Sequence, residues 1–316
     1  MTWLAGARVM VTGGAGFLGT RVCARLRDRG VTDLAVPRRV SHDLTRQDVA
    51  ETYVAHVRPD VIVHLAAEVG GIGANQANPG RYFYANMVMG INLIEAARQC
   101  DVRRFVQVGT VCAYPKHTPV PFSEASLWDG YPEETNAPYG VAKRALAIML
   151  DGYRRQYGSE GIYLIPVNLY GPGDNFDPAT SHVIPALIRK LVTAVEEGRD
   201  RVEVWGTGAA SREFLHVDDA ATGIVLATER YSDPMPVNLG SGHEITVRQL
   251  VHLISDIVGF TGQIQWDATK PDGQPRRGLD ISAARERFDF TASVDLTKGV
   301  QETVDWWRQH RSKSVR

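Results

Sequence analysis

Tyr139 and Lys143 stand one helical turn apart in the stretch Pro138-Tyr-Gly-Val-Ala-Lys143. On a helix that spacing puts both side chains on one face. An ammonium beside a phenol lowers the phenol's pKa and makes a proton donor usable near neutral pH. The hydroxyl of Thr110, at the end of a strand-like run, could hold a carbonyl oxygen beside that phenol. Hydride transfer to or from a sugar or alcohol carbon needs this set of groups. Cys112 points to the same side as Thr110 if the segment is extended, although cysteine also serves as a small buried apolar residue. His182 opens a helix-like run and reads either as a proton-transfer group or as a capping or packed histidine. A thiol and an imidazole in one pocket could take a proton from one face of a ketosugar and return one to the other.

A second signal lies near the N-terminus. Gly13-Gly14-Ala15-Gly16-Phe17-Leu18-Gly19 sits between a strand-like run, Arg8–Thr12, and a helix-like one. Glycines there allow a tight turn and bring backbone N–H groups close to a pyrophosphate at the helix N-terminus. The spacing is Gly-x-x-Gly-x-x-Gly. About 20 residues further on, an NAD site offers an acid to the adenosine ribose, whereas this chain offers Arg38 and Arg39. Two guanidinium groups suit a 2′-phosphate, so NADP(H) is expected; a pair of solvated surface arginines is the plainer reading. Asp43 is expected to contact the adenine edge or to cap the helix after it.

These groups need a scaffold, and the first half of the chain supplies its pattern. Apolar runs at Arg8–Thr12, Leu34–Val36, Val61–His64, Arg104–Val108 and Ile162–Val167 alternate with helical stretches at 20–29, 47–57, 79–99 and 139–157. Apolar strands alternating with helices predict an α/β fold with a doubly wound parallel sheet. Beyond Gly171-Pro172-Gly173 the loops lengthen, with helices expected at 182–197, 247–258 and 296–310. This predicts a dinucleotide-binding domain over 1–170, rejoined by 214–240, and a smaller C-terminal α/β substrate-binding portion over 171–213 and 241–316.

Composition narrows the classes. The 316 residues carry 35 Lys+Arg against 36 Asp+Glu, and no basic run stands out, which argues against nucleic-acid or anionic-membrane partners. No stretch of about 18 apolar residues or signal-like start is evident, so a soluble cytoplasmic protein is expected. The 3 cysteines show no paired spacing, so neither a disulfide framework nor a metal site is suggested.

Longer segments carry a resemblance. They include His64-Leu-Ala-Ala-Glu-Val-Gly-Gly-Ile-Gly73, Cys112-Ala-Tyr-Pro-Lys116, Asn168-Leu-Tyr-Gly-Pro-Gly-Asp-Asn-Phe176, Ser181-His-Val-Ile-Pro185, Val204-Trp-Gly206, Arg212-Glu-Phe-Leu-His-Val-Asp-Asp219 and Lys270-Pro-Asp-Gly273. From Ala7 to Trp307 the chain resembles the extended short-chain dehydrogenase/reductases, and within them the GDP-L-fucose synthases. The resemblance implies a Rossmann-type domain and an NADPH-dependent 3,5-epimerisation and 4-keto reduction of GDP-4-keto-6-deoxy-D-mannose to GDP-L-fucose. The alternative is a 4-ketoreductase, with or without epimerase activity, on another NDP-4-keto-6-deoxyhexose such as a dTDP-linked one.

By position, Thr110, Tyr139 and Lys143 look like the reductase triad, Thr110 standing where the fucose synthases carry serine. Cys112 looks like the epimerase base and His182 the acid. Cofactor contacts are implied for residues 13–19, Arg38, Arg39, Asp43, Leu65, Ala66, Ala67, Val108, Gly109, Thr110, Lys143, Pro166, Asn168, Leu169 and His182. Sugar-nucleotide contacts are implied for Cys112, Asn168, Val183, Lys190, Trp205, Arg212, Lys270 and Asp272. A homodimer built on the helices at 79–99 and 139–157 is implied as well.

Overall fold

The computed structural model describes residues 2–270 and 272–311. From the N-terminus the chain runs β1 (Arg8–Thr12), α1 (Phe17–Asp28), β2 (Asp33–Ala35), α2 (Gln47–Val57), β3 (Val61–His64), α3 (Ile72–Ala77), α4 (Pro79–Gln99), β4 (Arg104–Val108), α5 (Ala137–Tyr157), β5 (Gly161–Pro166) and β6 (Asn168–Tyr170). It continues through α6 (Val183–Glu196), β7 (Arg201–Trp205), β8 (Ser211–His216), α7 (Val217–Arg230), β9 (Val237–Leu239), β10 (Glu244–Thr246), α8 (Val247–Val258), β11 (Gln263–Asp267), α9 (Ser282–Phe288) and α10 (Leu296–His310).

Six strands form one parallel sheet in the order β2-β1-β3-β4-β5-β9. Every residue of β3, β4 and β5 is buried, which is why they read as unbroken apolar runs rather than as alternation. Right-handed crossovers put α1 on one face and α2, α4 and α5 on the other; α1 packs against α7, and α4 against α2 and α5. The strand order reverses between β1 and β3. In such a sheet the crevice beyond the carboxyl ends at that reversal is where a ligand binds.

A smaller assembly completes the molecule. β6 pairs in parallel with β8, which pairs antiparallel with β10, and β7 pairs in parallel with β11. Tyr170, Phe176, Leu187, Leu191, Phe214, Leu250, Ile254, Val300 and Val304 form a second core here. The division is not a single cut, because Leu279, Phe288 and Phe290 return to the core of the large sheet while α10 goes to the second. The strands β6 to β11 were not foreseen from the sequence. β6, β9 and β10 are three residues long, β7 alternates buried with exposed residues, β11 has no buried residue, and all are paired with a strand far away in the chain. Among the described residues no helix is long and apolar enough to cross a membrane.

Candidate active site

The glycine-rich turn is shaped by close approach. Gly13 has φ +70, and a Cβ on it would lie 2.9 Å from the Ala66 backbone nitrogen. A Cβ on Gly19 would collide with the Gly13 carbonyl. Gly16 is the N-cap of α1 and contributes no side chain, and the first turn of α1 holds no acidic residue. The N–H groups of that turn are thus left for an anion, and no carboxylate opposes it. This cradle, which any larger residue would fill, fits a dinucleotide pyrophosphate. Ala66 and its neighbours Leu65 and Ala67 form the facing wall after β3. Ala15 and Leu18 complete the turn, with Phe17 at its exit, where a Cβ on Gly173 of the Gly171–Asp174 turn would lie 3.9 Å from the ring.

The two arginines differ from each other. Arg39 pairs with Glu68 at 2.8 Å, a carboxylate that also takes Arg81. Arg38 is exposed and its guanidinium has no protein partner among the described residues. Asp43 accepts from the Thr45 amide at 3.1 Å and its hydroxyl at 2.8 Å, which lowers the Asp43 pKa. It therefore closes the turn before α2, whose N-cap is Arg46.

Tyr139 and Lys143 lie in the first two turns of α5, both buried. Lys143 Nζ donates to the Val108 carbonyl at 3.1 Å, and burial pushes its pKa down to about 8. The Tyr139 phenol is pushed upward, by burial first and by Cys112 second, against a lowering contribution from the Thr110 hydroxyl. The expected lowering of the phenol by the Lys143 ammonium is thus absent. Desolvation of the hydroxyl sets its direction, and the lysine is directed at a carbonyl rather than at the phenol.

The reading of 110–112 as extended chain is also corrected. Val111–Ala113 is a 3₁₀ turn, and Thr110 Oγ1 caps it by accepting from the Cys112 amide at 3.2 Å. A side chain that competes for local backbone donors favours a turn over a strand. Cys112 nevertheless stays beside Tyr139, because α5 packs directly on this turn at Gly140, where a Cβ would collide with the Cys112 carbonyl.

A group absent from the sequence reading completes the centre. Arg277 is buried and donates to Cys112 Sγ at 3.6 Å. Its remaining nitrogens reach Gln274 Oε1 at 3.2 Å. Arg212 donates to the carbonyls of Ser211 and Asp272 at 2.7 and 3.0 Å. Burial and the neighbouring Arg277 charge bring its pKa down to about 10. Neither arginine forms an ion pair among the described residues. Two desolvated, mutually repelling cations define a site for an anion. No spacing signal pointed to Arg277, since Pro275-Arg-Arg-Gly278 reads as a solvated loop. Asp174 was missed likewise; burial raises its carboxyl to about 7, and its Oδ2 has no partner among the described residues.

His182 is the N-cap of α6, followed by Val183. The residue is exposed, but the protein packed around its ring favours the neutral imidazole and lowers its pKa. The Gly71 amide donates to the Thr180 carbonyl at 3.1 Å, tying the loop after β3 to the segment before α6. Asn168 and Leu169 begin β6, beside Pro166 at the end of β5; Asn168 Nδ2 donates to the Glu213 carbonyl at 3.3 Å. Gly109 follows β4, packed so tightly that a Cβ would collide with the Tyr163 phenol.

The outer residues form a second cluster. Lys190 donates to the Glu203 carbonyl at 2.8 Å. Trp205 is 61% exposed, and Lys270 Nζ lies 5.4 Å from the centre of its ring. Asp272 accepts from Thr207 N at 2.8 Å and Oγ1 at 2.6 Å, holding the turn after β7. Pro271, between them, lies outside the described residues.

The fold and this set of groups define a nucleotide-binding enzyme of the doubly wound class. The chain belongs to the NAD dependent epimerase/dehydratase family, whose profile matches residues 9–240. It is 40% identical to GDP-L-fucose synthase 1 of Arabidopsis thaliana over 301 residues, 95% of this chain and 93% of that one. It is 37% identical to GDP-L-fucose synthase of Escherichia coli K12, covering 97% and 98%. The GDP-L-fucose synthetase of Naegleria fowleri bound to NADP superposes with a TM-score of 0.90 at 26% identity, covering 99% and 96%.

Proposed function

We propose that this protein is an NADP(H)-dependent enzyme that epimerises GDP-4-keto-6-deoxy-D-mannose at C3 and C5 and reduces its C4 ketone, yielding GDP-L-fucose. The observation that carries this reading is Tyr139 beside Thr110 and Cys112, on one helix with Lys143, with two arginines that lack carboxylate partners among the described residues next to Cys112. Full-length likeness to GDP-L-fucose synthases supports the same reading. Residues 13–19 and the loops after β3 and β4 would hold the cofactor, with Arg38 at its 2′-phosphate. When bound, NADPH supplies the hydride that reaches C4.

The chain's own groups do the rest. The C4 ketone acidifies the hydrogens on C3 and C5. Thr110 and Tyr139 donate hydrogen bonds to the oxygen on which the enolate charge develops. Cys112, as the thiolate beside the Arg277 guanidinium, takes the proton and becomes the thiol, and His182, in its imidazolium form, gives one from the other side and becomes neutral. In the reduction Tyr139 gives its proton to O4. Lys143, charged below about pH 8 and held on the Val108 carbonyl, supplies a buried positive charge one helical turn from the phenolate left behind. Arg212, Arg277 and Lys190 bind the diphosphate, and Trp205 offers the base a flat surface.

The second core and its sheets are the substrate-binding portion of this reading, and the large sheet the cofactor domain. A homodimer in the cytoplasm completes it. Tyr84, Ile91, Ile148 and Tyr157 expose apolar surface on α4 and α5, which supports those helices as the contact. The test is incubation of the purified protein with NADPH and GDP-4-keto-6-deoxymannose in deuterated water. Cofactor oxidation with deuterium at C3 and C5 is expected; no oxidation would sink the reading.

A further inference from the structure

Behind Lys143 lies a row of polar side chains that the chemistry above does not use. Thr12, His64, Gln107 and Tyr163 are successive register partners across β1, β3, β4 and β5. Side chains of such partners stand on one face of the sheet. All four are buried, where polar groups are costly unless hydrogen-bonded.

Their hydrogen bonds can be followed from strand to strand. The Ala66 amide donates to Thr12 Oγ1 at 3.3 Å, and Thr12 Oγ1 lies 2.7 Å from His64 Nδ1. The Thr12 hydroxyl proton has no other acceptor among the described residues, which assigns the hydroxyl as the donor to Nδ1 and puts the imidazole proton on Nε2. Burial, with the Lys143 charge nearby, holds His64 neutral, its pKa well below the ordinary value. Further along, Gln107 Nε2 donates to the Val108 carbonyl at 2.9 Å. That same carbonyl receives Lys143 Nζ.

Two atoms of register partners on adjacent strands break the sequence. His64 Nε2, a donor, and Gln107 Oε1, an acceptor, are buried without a partner among the described residues. An unmet buried group costs the full desolvation of its polar atom. A water accepting from the imidazole and donating to the amide would remove both costs, and the Tyr163 hydroxyl, also unpartnered, stands at the register position on the next strand.

We propose that Thr12, His64 and Gln107, joined by one buried water between imidazole and amide, form a directional hydrogen-bond chain that fixes the Val108 carbonyl and through it aims the Lys143 ammonium. His64 and Gln107 are positioning residues, since neither touches substrate. The proposal rests on the reading of Lys143 as part of the catalytic group. A neutral His64 also avoids setting a second cation beside that lysine.

Crystals of the full chain that show ordered water should place one water within hydrogen-bond distance of both His64 Nε2 and Gln107 Oε1. A dry gap or a direct bond between the two side chains overturns the chain, whatever the substrate proves to be. Kinetics at saturating NADPH and ketosugar nucleotide supply the second arm, with rates divided by the NADPH-binding sites counted by fluorescence titration. His64→Leu and Gln107→Leu should each lower kcat about tenfold with KM nearly unchanged, and the double variant should lose little more than either single one. His64→Gln, which keeps an acceptor and a donor, should recover most of the loss. Unchanged kcat per site, additive losses, or a glutamine variant no better than leucine overturns the proposal. A wild-type protein without reductase activity would instead sink the proposed function, and the water would still decide the chain.

Discussion

The Arg277 guanidinium donates to Cys112 Sγ at 3.6 Å, across more than half the length of the sequence. A desolvated cation with no carboxylate partner stabilises a thiolate at the moment a carbon-bound proton is taken. Arg277→Met is therefore expected to slow deuterium entry at C3 and C5 by about a hundredfold, the scale of removing one preorganised electrostatic partner. NADPH affinity should stay unchanged. Arg277→Lys, which keeps the charge and loses the planar fork, should fall between the two. Mass spectrometry of the sugar nucleotide checks this; exchange at the wild-type rate in Arg277→Met would reduce Arg277 to a packing residue.

Lys143 makes a pH-dependent prediction with a definite sign. The free side chain titrates near 10.5, and burial brings it to about 8 in the fold. Below pH 8 both folded and unfolded chains hold the proton, so the full cost of burying the charge is present. Between 8 and 10.5 the unfolded chain holds more protons, and stability gained from this group rises with pH. Lys143→Met should stabilise the protein at pH 7 by up to about 3 kcal/mol, with the advantage over wild type gone near pH 10.5. Paired urea melts at pH 7 and 10 measure it. The same variant should lose reductase activity, and the wild-type rate should fall as pH rises through 8.

Much of this was legible in the residues. The bounds of β1, β3, β4, α2, α4, α8 and α10 match the apolar periodicity, because each buries a continuous face against the sheet or the second core. The Gly13–Gly19 turn was readable from spacing, since its shape is local. What escaped depends on distant partners. β9 is three residues long and exists because β5 is beside it. Arg277 gains its meaning only when its loop folds over Cys112. The Tyr139 phenol was expected to be lowered by a residue one turn away, but burial, a property of the whole fold, decides its direction. The extended reading of 110–112 failed because Thr110 caps its own turn.

Arg38 and Arg39 were weighed as a pair in the sequence, and the structure separates them. Arg39 is engaged by Glu68, whereas Arg38 is free to meet a phosphate. Arg38→Ser should raise the KM for NADPH about tenfold or more while leaving that for NADH nearly unchanged, the loss of one charge-assisted contact. Arg39→Ser should do less, because its guanidinium must first leave a carboxylate. Initial rates with both cofactors decide the matter. An equal effect of the two substitutions would mean that Glu68 releases Arg39 when the cofactor binds.

Gly140 couples the two halves of the proposed chemistry. It follows Tyr139 in α5, and its α-carbon rests on the backbone of the Cys112 turn, so that a Cβ would collide with the Cys112 carbonyl and meet the Ala113 amide at 3.3 Å. Backbone cannot rotate aside as a side chain can, so Gly140→Ala must push the helix and the turn apart. The helix itself gains from alanine by roughly 1 kcal/mol. The overpacking costs about 1–3 kcal/mol, so a net loss in thermal stability is expected. The more telling effect is on rates. Separation of Cys112 from Tyr139 should depress proton exchange at C3 and C5 and reduction at C4 together, while NADPH binding at the distant glycine turn persists. A variant that kept both rates would show that the thiol and the phenol do not need this packing to act on one sugar.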